Sequence, residues 1–162
     1  MLPPTFAAML DVVRERAAGM RVALNPDRLD GDWILDGNVD DGRGPGRLFI
    51  SVTSHRGVML ASPCLDQEFV QGGRCTMRVL ADGSRLFLRD IVEANDVRTV
   101  TVAFVRIDRS GITAEASNFP IDQAGPARDG VAPTREDPIL SVAQLGELVL
   151  AIEDRVRQLP RP

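Results

Sequence analysis

Met77-Arg78-Val79-Leu80-Ala81-Asp82-Gly83-Ser84-Arg85-Leu86-Phe87-Leu88 is the stretch that decides the fold. Two short runs, Met77 to Leu80 and Arg85 to Leu88, flank Asp82-Gly83, a pair suited to the positive backbone angles that a tight β-turn demands. The reading is a hairpin, and a hairpin implies an antiparallel sheet. Downstream, Val97 to Ile107 forms a long β run, turns at Asp108 to Gly111 and returns as Ile112 to Ala116 with alternating polar and apolar positions. Upstream, Met20 to Leu24 reads as a short strand ended by Asn25-Pro26, with Trp33 to Val39 and Arg47 to Thr53 as two more. The turn formers Asp40-Asp41-Gly42-Arg43-Gly44-Pro45-Gly46 join the last two into another hairpin.

Helical patterns bracket these strands. Residues 5 to 18 place Phe6, Met9, Leu10, Val13 and Ala17 on one stripe, with Thr5 as the expected N-cap and Gly19 as the stop. Near the other end, Ser141 with Gln144 three residues later forms a capping box, and Leu140 and Leu145 hold the two positions of a hydrophobic staple. Leu145, Leu148, Val149, Ile152 and Val156 supply the stripe to be buried, and Pro160 and Pro162 close the chain. The expected fold class is α+β: an antiparallel β-sheet meander of about six or seven strands with N-terminal and C-terminal amphipathic helices packed on it. Between strand and last helix, residues 118 to 138 are rich in Pro, Gly, Asp and Ala and read as one long surface loop.

Length and composition agree with one domain spanning 1–162. A chain of 162 residues buries roughly two thirds of the surface its unfolded form exposes. Hydrophobic residues at 44% and charged residues at 26% are ordinary for a globular protein, and no apolar run reaches bilayer-spanning length. All 19 basic residues are arginine, scattered singly and interleaved with acids, and the net charge is -4. That pattern is not the dense basic face which phosphate neutralisation requires, and six Phe, one Trp and no Tyr make a poor base-stacking platform. Nucleic acid is therefore not an expected partner. The opening Met1-Leu2-Pro3-Pro4-Thr5 lacks the basic and apolar regions of a signal peptide, which leaves two expectations open: a cytoplasmic protein, or an excised mature domain.

Asp36-Gly37-Asn38-Val39-Asp40-Asp41-Gly42 imitates an EF-hand opening, but Asp41 stands where that loop needs glycine and Arg47 where it needs a bidentate Glu. Turn chemistry accounts for the same residues, so no metal and no cofactor is expected. His55 is the only histidine, and general-base work needs an orienting partner that the sequence does not identify. A hydrolase built on His55 is the last-ranked reading. Asp40 with Asp41, and Glu153 with Asp154, read as solvated surface acids because nothing apolar surrounds them to move their pKa values apart. Gly42 to Gly46 lacks the Lys-Ser/Thr of a phosphate loop and opens no helix, and Arg43 reads as a solvated tip residue.

Several segments, in order, resemble an uncharacterised family of actinobacterial extracytoplasmic domains of the membrane-anchored or lipoprotein type. The likeness lies in Phe6-Ala7-Ala8-Met9-Leu10, Val39-Asp40-Asp41-Gly42-Arg43-Gly44 and Cys75-Thr76 followed by Leu80-Ala81-Asp82-Gly83-Ser84-Arg85-Leu86. It continues through Ala116-Ser117-Asn118 and Thr134-Arg135-Glu136-Asp137-Pro138-Ile139-Leu140-Ser141, covering most of residues 5 to 152. The resemblance implies a Cys64–Cys75 disulfide, against the alternative of two buried thiols, and an extracytoplasmic or cell-envelope location, against a cytoplasmic one. It implies no activity. The expected function is thus a non-enzymatic binding or interaction module for a protein or cell-envelope ligand, with Asp122, Arg128, Asp129 and Arg135 as the residues of a possible interaction loop. The alternative is a cytosolic adaptor, chaperone or immunity-type protein that meets one protein partner through its acidic surface.

Overall fold

The computed structural model describes residues 1–53, 64, 74–92, 94–121 and 132–160. The chain opens with helix α1, Pro4–Arg16, and continues through β1 (Arg21–Leu29), β2 (Asp32–Asp40), β3 (Pro45–Thr53), β4 (Arg74–Val79), β5 (Arg85–Val92), β6 (Arg98–Val105) and β7 (Gly111–Ser117) to helix α2, Val142–Arg157. The strands form one sheet in the order β1-β2-β3-β7-β6-β5-β4, and every neighbouring pair is antiparallel. Both helices pack on it, so the fold is α+β as the sequence patterns require. The order has a consequence for exposure: the chain jumps from the centre to the far edge after β3 and returns, so β1 and β4 are the two edges and β3 pairs with β7 in the middle.

Register separates the two faces. Leu35 lies opposite Ile50, Ile50 opposite Ala114, Ala114 opposite Val102 and Val102 opposite Leu88. This row, with Leu48, Ile112, Phe104 and Leu86, faces the helices and joins Met9, Val13, Leu145, Leu148 and Ile152 in a single core. Each fully buried aliphatic side chain of this kind contributes about 1.5–3 kcal/mol. Phe6 meets Trp33 edge-on at 4.9 Å between ring centroids, and the Arg28 guanidinium lies 3.8 Å from the centroid of that indole.

Two sequence expectations change. Helix α1 starts one residue earlier, with Pro3 at the N-cap and Pro4 at the first turn, so Thr5 is not the cap. Proline fits there because its fixed φ suits the first turn and its missing N–H would have no helical partner anyway. β1 does not end at Asn25-Pro26 but runs on to Leu29, with Pro26 opposite Leu35. Edge position explains this: a strand with one open side tolerates a residue that cannot donate. At the start of the 118 to 138 segment Asn118 is fully buried, and just beyond its end Ile139 and Leu140 belong to the core. The capping box at Ser141 and Gln144 forms as expected, with both reciprocal hydrogen bonds, at 3.2 and 2.9 Å.

Candidate functional site

The sheet edge formed by β4 and β5 and the base of the 118 to 138 segment hold the residues of interest, and they differ in kind. The base is a closed network. Asn118 Oδ1 accepts from the Arg98 backbone N–H at 2.9 Å, while its Nδ2 donates to the carbonyls of Asp96 at 2.8 Å and Glu136 at 3.2 Å. Its own carbonyl accepts from Thr134 N, and the Thr134 hydroxyl donates to Pro45 O at 2.6 Å. Asn38, on β2, exchanges hydrogen bonds with the backbone of Ile121. Here the segment is stitched to three separate parts of the sheet.

Arg135 completes the base. Its guanidinium clasps Asp41 with two bonds of 2.9 and 3.1 Å and also donates to the carbonyls of Gly44 and Asp137. Only 7% of the Arg135 side chain and 12% of the Asp41 side chain is exposed. The Arg135 hydrogen bond, aided by the Arg43 backbone and side chain, holds the Asp41 carboxyl far below the usual aspartate range despite the opposing cost of burial. Gly44 lets the two strands of the clasp meet: its φ is +113°, and a Cβ there would stand 2.7 Å from Thr134 O. Among the four expected loop residues, Arg135 is thus engaged within the molecule, whereas Asp122, Arg128 and Asp129 lie outside the described residues, as does His55. An open groove of about 710 Å³ beside this base is lined by Val92, Asp96, Arg98, Pro133, Thr134 and Glu136.

Several acids expected on the solvated surface have structural partners instead. Asp41 is one. Glu153 is another, with 5% of its side chain exposed, accepting from Arg106 Nε at 3.0 Å, from Arg106 Nη2, and from Arg157 at 2.9 and 3.2 Å. Glu153 in turn raises the Arg157 pKa. The EF-hand-like residues fall on a continuous strand, so Asp36, Asn38 and Asp40 share one face of β2 and cannot wrap an ion; Asp36 is paired with Arg47 at 2.8 and 2.9 Å. Among the described residues no cluster of three or more His, Cys, Asp or Glu is placed to hold a metal ion.

Among the described residues no strand pairs with the outer side of β4. β4 shows Met77 and Val79 to solvent at 52% and 61% exposure, on the face away from the helices, opposite Phe87 and Arg85. Cys64 and Cys75 stand at disulfide distance, with their Cα atoms 5.6 Å apart, and Cys64 packs on Phe87, Ala103 and Val105 on this same face. Arg74, Arg78, Arg85 and Arg89 lie on these two strands, and none forms an ion pair among the described residues. The arginines that look scattered along the chain are therefore gathered here by strand pairing. A signal was present in the sequence: residues 74–89 carry four arginines against the single acid Asp82.

No family model, no curated protein and no solved structure matches this chain. Among the described residues no helix is long and apolar enough to cross a membrane.

Proposed function

We propose that this chain is a non-enzymatic binding module that acts outside the cytoplasmic membrane and holds a protein partner. The observation that carries the reading is the β4–β5 edge, where exposed Met77 and Val79 sit among four arginines that form no ion pair among the described residues, beside the Cys64–Cys75 pair. Protein interfaces combine apolar anchors with arginine, whose planar guanidinium can pair with a partner's carboxylates. The Cys64–Cys75 pair supports an oxidising compartment, where such bridges persist. The adaptor alternative through an acidic surface draws less support, because Asp36, Asp41 and Glu153 are already paired inside the molecule.

Site-directed photo-crosslinking tests the reading. A benzophenone side chain placed at exposed Met77 is expected to yield a discrete covalent adduct with a protein in cells of the source organism, and the same group at exposed Leu29 on the opposite edge is not. Absence of any protein adduct from Met77 overturns the module reading. Replacing residues 122–131 by a short Gly-Ser linker separates the edge from the loop: an adduct that survives assigns the partner to the edge, and one that is lost assigns it to the loop.

A further inference from the structure

Deepening that reading, and resting on it, we infer that β4 takes an extended acidic peptide as an eighth strand of the sheet. An edge strand offers a row of unpaired backbone groups, and recognition by strand addition draws affinity from those groups and specificity from alternate side chains. The alternation along β4 is legible. Arg74, Thr76 and Arg78 point to the helix side; Cys75, Met77 and Val79 point to the other. The two arginines on one side lie about 13 Å apart along the strand. A guest with carboxylates at every second position would set acids beside both, and its intervening side chains would continue the apolar row begun by Met77 and Val79.

The charge balance of the edge selects the guest. The one acid paired across from this strand, Asp90 opposite Arg74, is itself 4.0 Å from Arg98. Asp82, in the turn, is engaged by Ser84 and lies 3.7 Å from Arg157. Among the described residues the arginines of β4 and β5 have no ion-pair partner and can take an external anion, and Arg85, 5.8 Å over the Phe87 ring, and Arg89 extend the same charge onto the other face. Charge on an edge strand also guards against indiscriminate pairing. The guard is selective here, because it repels a basic strand and not an acidic one. A second copy fits poorly: antiparallel self-pairing centred on Thr76 would set Arg74 of each copy opposite Arg78 of the other, and like charges directly opposite destabilise a sheet. The opposite edge differs, since β1 carries Pro26, which cannot donate to an added strand, and interleaves Asp27 with Arg21 and Arg28.

The experiment uses the full, oxidised chain and a fluorescein-labelled Glu-Val-Glu-Val-Glu-Val-Glu peptide as probe, read by anisotropy and by backbone amide shifts. Expected are binding that weakens with added salt, shifts centred on residues 74 to 79, and a loss of about tenfold or more in Arg74→Glu/Arg78→Glu. That double variant should instead bind the corresponding Lys-Val peptide. Both replaced side chains are exposed, so its amide spectrum is expected to keep the wild-type fold. Shifts centred elsewhere, binding indifferent to the charge swap, binding that persists when the valines are N-methylated, or a β4-mediated dimer would each overturn the inference. If the peptide fails while Met77 still crosslinks a protein, the acidic strand falls and the binding module stands; if both fail, both readings fall.

Discussion

Replacing Asn118 by alanine should destabilise this protein by about 3 kcal/mol. Asn118 is wholly buried, and its side chain makes three hydrogen bonds, to Arg98 N, Asp96 O and Glu136 O. Each intramolecular hydrogen bond contributes about 1 kcal/mol net. Asp96 and Glu136 are exposed residues, so water can reach the two carbonyls that lose their donor, which keeps the sum near the three net bonds. With a urea dependence of about 2 kcal/mol per molar for a chain of this size, the unfolding midpoint should fall by about 1.5 M. The assay is urea unfolding followed by far-ultraviolet circular dichroism, compared with a Ser141→Ala control that removes only a helix cap, at about 1 kcal/mol. An Asn118→Ala midpoint shift no larger than the control's would refute the argument that this side chain holds the base of the 118 to 138 segment.

Three further outcomes follow from the same contacts. Asp41 has a depressed carboxyl pKa in the folded protein, so the stability it adds with Arg135 is complete above about pH 4, its unfolded value, and is lost as pH falls below that. Arg135→Ala should therefore cost about 2 kcal/mol at neutral pH and markedly less near pH 2, as urea midpoints measured across this range will show. Glu153→Ala leaves Arg106 with Ser110 but without its carboxylate partner beside helix α2 and should cost about 3 kcal/mol, lowering the calorimetric Tm by about 6 to 12 °C; an unchanged Tm would mean the pair contributes nothing. Protein isolated under thiol-blocking conditions should accept two alkylations only after reduction, and the reduced form should be about 3 kcal/mol less stable, given a bridge between residues 11 apart.

Local chemistry made much of the fold legible. The Asp82-Gly83 hairpin, the capping box of Ser141 and Gln144, and the stripes of α1 and α2 depend on residues within a few positions of one another, and the structure has each of them. Where the local reading slipped, an unseen neighbour decided: Pro26 stops a central strand but not an edge, and the sequence does not say that β1 is an edge. Glu153 and Asp41 read as surface acids because their arginines, at 106 and 135, are 47 and 94 residues away.

What the sequence by itself determined is the class: an antiparallel sheet flanked by two amphipathic helices, written in turn residues, caps and periodicity, all of which act over one or two turns of chain. Tertiary structure alone decided the strand order, and with it the candidate site. Only when β7 returns to pair with β3 does β4 become an edge, and only its pairing with β5 brings Arg74, Arg78, Arg85 and Arg89 together around Met77 and Val79. Exposure is a property of what does not pack, and a side chain's own sequence neighbours do not report it.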